Sequence, residues 1–108
     1  AAAAGRRPVI VDGFISGAAA LVAYVIAPEA RHRFIASHQS VEPGHRLGLS
    51  HMGLEPLLDM GMRLGEGSGA ALSIHIVEAA AKCLSDMTTF AEAGVSEKIE
   101  DDSQGAAS

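Results

Sequence analysis

The sequence predicts an α/β fold, and three observations predict it. Pro8-Val9-Ile10-Val11 is a short, continuous apolar run rich in β-branched residues and ended by Asp12-Gly13. Such a run reads as a strand of a parallel sheet, whose two faces are both covered. A second run, Phe34-Ile35-Ala36-Ser37, follows an alanine-rich helical stretch, so strand, helix and strand form one crossover, right-handed by the general rule. The chain is 48% hydrophobic but only 4% aromatic, a balance that suits closely packed helices against a small sheet. The expected architecture is therefore a fragment of a parallel-sheet, Rossmann-like domain with helices packed on it.

Each element has its own signal. Asp12-Gly13 stands at the carboxyl end of the first strand, where open α/β sheets bind their ligands. Ser16 is an N-cap candidate for a helix from Gly17 to about Ala27, with Pro28 marking its end or the start of a further turn. The charged Arg31-His32-Arg33 turn separates that helix from the second strand. After the loop "SHQSVEPGH", a short helix is expected over His45 to Gly53, with Leu47, Leu49 and Met52 offering apolar contacts. Pro56 to Met62 suits either a helix or a buried strand, and the reading leans towards helix. Ser68 is a candidate cap for a long helix over Gly69 to about Met87. Leu72, Ile76, Ala79, Ala80, Cys83, Leu84 and Met87 recur at helical spacing and define its expected buried stripe. Thr88 or Thr89 caps a final short helix ending at Gly94. From Ser96 onward "SEKIEDDSQGAAS" is polar and acidic, and is expected to be disordered. The domain reading is thus 1–95 for the α/β portion and 96–108 for the tail.

At 108 residues the chain has the length of one modest domain. Its formal charge of -5 argues against general attraction to nucleic acid or to anionic lipid, so an anionic ligand must be held by a local arrangement. Cys83 is the single cysteine, which excludes an internal disulfide and a thiolate cluster for zinc. The longest apolar run, Gly17 to Pro28, is far short of the roughly 20 apolar residues that span a bilayer. The opening "AAAAGRRPVIVDG" has its arginines after the alanines, the wrong order for a signal peptide. A soluble, cytoplasmic protein is expected, with no nucleic-acid or membrane partner. The alanine run at the start reads as the end of a helix, and the chain is expected to be a piece of something longer.

Glu66 lies in Arg63-Leu64-Gly65-Glu66-Gly67-Ser68-Gly69, an acid among glycines. One reading is a surface glutamate favoured by the dipole of the following helix, worth roughly 0.3 to 1 kcal/mol. The other is a general base, left uncrowded so that a ligand can reach it. Ser37 to His45 is the second candidate: its hydroxyls and loop amides can hold a phosphate, or the segment is a polar connection whose serine caps a helix. His38, His45 and His51 show no i, i+4 pair, and no metal site is expected. His75 reads as a packed or partly exposed histidine. Ser68 lacks the register and partners of a nucleophile elbow, and "GEGSG" lacks the lysine of a P-loop.

Together, "VDGF", "SHQSVEPGH", "EPLLDMGMRLGEGSGAAL" and "EAAAKCLSDMTTFAEAGVS" resemble the C-terminal part of the nicotinate-nucleotide:dimethylbenzimidazole phosphoribosyltransferase family, over about Arg7 to Val95. The longest specific element is "MRLGEGSGAA". The resemblance implies transfer of a phosphoribosyl group from nicotinate mononucleotide to 5,6-dimethylbenzimidazole in the lower-ligand branch of cobalamin synthesis, without a cofactor. It implies that Glu66 is the general base. It also places Asp12, Gly13 and Gly65 at the substrate site, with Ser40 and the loop around Glu42 and Gly44 on the nucleotide phosphate. The family is dimeric, and its members are much longer, with much of the benzimidazole pocket in segments that this chain lacks.

Overall fold

The computed structural model describes residues 1–94, and the expected acidic tail over 96–108 lies outside the described residues. Two short strands, β1 (Val9–Val11) and β2 (Phe34–Ala36), pair in parallel with Val9 opposite Phe34, Ile10 opposite Ile35 and Val11 opposite Ala36. Between them run helix α1 (Phe14–Ile26) and a 3₁₀ helix over Pro28–Arg33. A parallel pair cannot be closed by a tight turn, so the helical crossover is what permits this sheet. Pro28 starts the 3₁₀ segment, where its missing N–H costs nothing.

Helix α1 begins earlier than the sequence indicated. Gly13 is its N-cap, and the Gly17 N–H donates to the Gly13 carbonyl at 2.7 Å, closing the first turn immediately after the strand. Ser16 therefore lies inside that turn rather than capping it. Helix α2 (Pro43–Met52) likewise starts at a proline in its first turn, two residues ahead of His45. Leu49 and Met52 on α2 are buried as expected, whereas Leu47 faces outward.

The helix anticipated over Pro56 to Met62 does not form. Leu57 N–H donates to the Ala36 carbonyl at 3.0 Å, Leu58 N–H to that of Ser37 at 2.9 Å, and Gln39 N–H to that of Leu58 at 2.7 Å. His38 and Leu58 form a parallel bridge, so the segment extends the sheet. An open strand edge supplies partners that helical spacing of a few apolar residues cannot reveal.

Helix α3 (Ser68–Asp86) follows, with Gly67 as N-cap and Ser68 already helical. It packs on β1 through its first turns, where Gly69 and Ser73 are buried. The expected apolar stripe is exposed: Leu72 is 47% and Leu84 is 88% accessible, and Ile76, Ala79, Ala80, Cys83 and Met87 also face solvent. The pattern is present, but no described residue covers it. Near the end, Thr89 N–H donates to Glu92 Oε2 at 2.7 Å and Glu92 N–H to Thr89 Oγ1 at 3.2 Å. This reciprocal cap opens a single turn ending at Gly94, not a continued helix.

The core consists of Val11, Ala20, Ala36, Leu49 and Met52, with Leu21, Tyr24, Phe34 and Leu54 packed against it. Arg31 Nη1 donates to the Met52 carbonyl at 2.8 Å, tying the 3₁₀ segment to the end of α2. Sheet, α1 and α2 thus hold the carboxyl ends of both strands on one side of the molecule. No helix among the described residues is long and apolar enough to cross a membrane.

Candidate active site

A cleft of about 470 Å³ opens across the carboxyl ends of β1 and β2. All six residues singled out from the sequence line it: Asp12 and Gly13 after β1, Ser40 and Glu42 after β2, and Gly65 and Glu66 ahead of α3. Residues far apart in sequence converge because both strands deliver their loops to the same edge.

The loop before α3 has an unusual backbone. Gly65, Glu66 and Gly67 have φ of 75°, 57° and 80°, three successive positive values. Two glycines adopt such angles freely, but a glutamate does so at a cost on the order of 1 kcal/mol or more. Ser68 holds the turn, its N–H and Oγ both donating to the Gly65 carbonyl, at 3.2 and 2.8 Å. Glu66 itself is exposed and lines the cleft.

Asp12 explains how the loop is positioned. Its carboxylate is buried and accepts from Gly67 N–H at 3.0 Å through Oδ2 and from Ala70 N–H at 2.9 Å through Oδ1. It is thereby the anion at the N-terminus of α3, where the helix dipole and free amides favour negative charge. Ser37 Oγ donates to the Asp12 carbonyl at 2.6 Å and Ser37 N–H to that of Val11 at 2.9 Å, locking the ends of the two strands together. The chain of contacts from β2 through Asp12 to Gly67 fixes Glu66 over the strand ends.

On the far wall, Ser40 N–H donates to His45 Nδ1 at 2.9 Å, and Glu42 N–H reaches Ser40 Oγ at 3.4 Å. These two amides are spent within the loop, which leaves the Ser40 hydroxyl proton free for a ligand. His45 is buried, and burial, with the neighbouring His38 second, pushes its pKa below the ordinary imidazole value. Accepting at Nδ1 assigns the proton of the neutral ring to Nε2.

Sequence reasoning weighed His38 only as a metal ligand and passed over Arg63, yet both line the cleft. His38 is 1% exposed, and neither ring nitrogen has a hydrogen-bond partner. It lies between two glycines: a Cβ on Gly69 would overlap its ring, and one on Gly13 would stand 3.1 Å from Nε2. The signal for it was present in "ASHQS", a histidine directly after a strand. His51 is elsewhere, edge-on to Tyr24 with ring centroids 5.9 Å apart. His75 is on the outside of α3, 3.9 Å from Glu78, too remote to serve Ser68. Among the described residues no group of three or more His, Cys, Asp or Glu side chains is placed to hold a metal.

A parallel βαβ unit, with a ligand cleft over the strand ends and a strained acid on a glycine loop, defines an α/β protein with an enzyme-like site. More narrowly, the chain belongs to the phosphoribosyltransferase family whose model matches residues 1–95. It is 62% identical over 97 residues to the nicotinate-nucleotide–dimethylbenzimidazole phosphoribosyltransferase of Dehalococcoides mccartyi, covering 90% of this chain and 28% of the relative. The enzyme of the same name from Chloroflexus aurantiacus is 60% identical over 98 residues, again with 28% of its length covered. A crystal structure of the Thermus thermophilus enzyme superposes with a TM-score of 0.77 at 50% identity, covering 83% of this chain and 27% of that one. The chain spans somewhat over a quarter of the length of these relatives.

Proposed function

We propose that this chain carries the catalytic base of a transferase that moves the phosphoribosyl group of nicotinate mononucleotide to 5,6-dimethylbenzimidazole. The products are α-ribazole 5′-phosphate and nicotinate, in cobalamin lower-ligand synthesis in the cytoplasm, and the working enzyme is a homodimer. The observation that carries the reading is Glu66: a glutamate held at a positive φ between two glycines, at the mouth of the cleft, where glycine itself would fit without strain. Strain of this kind persists where function requires the side chain.

The chemistry accounts for an acid there. Neutral dimethylbenzimidazole carries one N–H and one nitrogen lone pair. The lone pair attacks C1′ of the ribose, a C–N bond forms, and positive charge builds on the azole. The bond from C1′ to the nicotinate nitrogen breaks with its electron pair, so the pyridinium becomes a neutral ring and needs no proton. The azole N–H proton passes to the Glu66 carboxylate, which also stabilises the cation as it develops. Gly65 and Gly67 leave room for a flat ring to approach, and Asp12 holds the loop. Gly13 and the Ser40 hydroxyl face the nucleotide, while Glu42 borders it.

Nicotinate release from nicotinate mononucleotide plus dimethylbenzimidazole, assayed with the chain and its Glu66→Gln variant, tests this. A fall of roughly 10²–10⁴-fold is expected for removal of a general base. An unchanged rate removes Glu66 from that role. Since the chain spans little over a quarter of its relatives, a second reading is a nucleotide-binding module without catalysis, and binding by the parent chain without any release would favour it.

A further inference from the structure

We propose that His45 is the positioning residue of the Ser40–Glu42 wall of the cleft: its neutral ring, seated between α1 and α2, holds that wall through Nδ1, and protonation of the ring releases it. The consequence for the nucleotide rests on the reading above, whereas the state of the wall does not.

Three hydrogen bonds hold Ser40, and they differ in what they tie it to. Its carbonyl accepts from Gln39 Nε2 at 3.1 Å and its Oγ from Glu42 N–H at 3.4 Å, both within the loop. Its N–H donates to His45 Nδ1 at 2.9 Å, and of the three this is the one that joins the wall to a helix of the core. The contact is buried, so losing the acceptor strands a donor away from water, which is the costly way to lose a hydrogen bond.

The imidazole has a built seat. It is 3% exposed, and its own N–H donates to the Glu42 carbonyl at 3.0 Å in the first turn of α2. Against α1 the ring lies over Gly17, where a Cβ would stand 2.9 Å from Cδ2 and 3.2 Å from Nε2, so glycine is what admits it. Nε2 has no hydrogen-bond partner, and the ring borders a cavity of about 100 Å³ lined also by Phe14, Ala18 and Leu21. Nothing in this seat favours a cation. The α1 residues that line it carry no titratable group, and the ring centroid of His38, after β2, is 6.3 Å away. On the side of α2, Glu42 and Arg46 are at exposed positions, where water screens their charges. A proton added to the ring goes to Nδ1, the atom that Ser40 N–H uses, so protonation and the hydrogen bond to the wall exclude each other. One proton thereby switches the wall between held and released.

Amide exchange of the 108-residue chain tests this, read as protection relative to the β1–β2 amides from about pH 7.5 to about pH 5, the range where histidine titrates. His45→Phe keeps a ring in the seat and removes the acceptor. Protection at Ser40 should fall about three- to tenfold, the loss of one hydrogen bond. In His45→Asn, Oδ1 stands where Nδ1 stood and does not titrate. Protection should be kept there and be flat with pH, while that of the parent falls on acidification. Titration with nicotinate mononucleotide carries the test to the ligand. Its own phosphate titrates at about pH 6, so the parent should lose affinity beyond the loss seen in His45→Asn. Protection unchanged in His45→Phe would overturn the proposal, as would equal loss in both variants, which gives the role to the seat rather than the acceptor. So would identical pH profiles in the parent and His45→Asn, in protection or in nucleotide affinity. A parent chain that binds no nucleotide at any pH sinks the nucleotide reading, and the protection profiles then decide whether His45 holds the wall.

Discussion

The side chain whose conformation and chemistry conflict most is Glu66. If its positive φ is retained for function, replacing it with glycine should stabilise the fold and destroy the reaction. Relief of the strain, less the extra unfolded-state entropy of glycine, predicts that Glu66→Gly raises stability by about 0.5–1 kcal/mol, read from urea melts, while nicotinate release is lost. A variant that is both inactive and destabilised would mean that the carboxylate serves structure. His45 makes a pH-dependent prediction. Its pKa is lowered in the folded chain, by burial first and His38 second, so the unfolded chain binds the proton more readily below the ordinary histidine value of 6.5. Stability from this group is complete above pH 6.5 and is lost as pH falls through that value towards the lowered folded pKa. Protonation also puts a hydrogen on Nδ1, which then cannot accept from Ser40 N–H. Melts between pH 7.5 and pH 5 should show this decline in the parent and a shallower one in His45→Gln; equal slopes would exclude His45 as the source. Glu66 was legible in the sequence as an acid among glycines, but its strain was not, because nothing in residue order states that the positive φ of the two glycines extends to the residue between them.

Among the elements, α2 and α3 carry similar apolar patterns and have opposite fates. Leu49 on α2, which packs on α1, is buried in the core, and Leu49→Ala should cost about 2–5 kcal/mol by lost transfer energy plus a cavity. Leu84 on α3 has the same spacing signal yet is almost wholly exposed, so Leu84→Ala should change stability by less than about 0.5 kcal/mol in this chain. Chemical melts of the two variants check the pair, and a large loss for Leu84→Ala would show that α3 is packed in solution. The first turn of α3 has a different anchor. Asp12→Ala should cost about 1–2 kcal/mol, as for loss of a helix cap, and speed amide exchange at Gly67 and Ala70. The strands and α1 were legible because β-branched runs and an alanine-rich stretch each admit one periodicity. The Leu57-Leu58 segment was not, because its conformation is decided by the free edge of β2, and α3's stripe described an apolar face without saying whether a partner surface is present.

Across the whole molecule, the apolar residues left outside are as informative as those within. The core has five buried apolar residues among those described, while α1 exposes Ile15, Val22, Val25 and Ile26, and α3 exposes Leu72, Ile74, Ile76 and Leu84. Single exposed apolar residues are ordinary, but aligned rows along two helices form patches of the kind that mark interaction surfaces. The chain's coverage of little over a quarter of its relatives gives a physical sense to those rows: faces that a longer polypeptide or a second copy would cover. The anchoring of the Glu66 loop does not use those faces, because the strand ends, Asp12 and the loop are bound to one another within the chain. Cleft geometry and exposed faces are therefore expected to respond differently to the same changes. The parent chain should bind an apolar dye under native conditions and sediment as a concentration-dependent mixture. Val25→Lys with Leu84→Lys should suppress both effects, adding two charges to the exposed rows while leaving Asp12, His38 and Glu66 untouched. Phosphate binding should be unchanged in that double variant. A parent chain that sediments as a dye-free monomer at all concentrations would show that these faces are not adhesive. A double variant that stays monomeric but loses phosphate would show that the cleft depends on the covered faces after all, and that loops anchored by Asp12 alone do not hold it open.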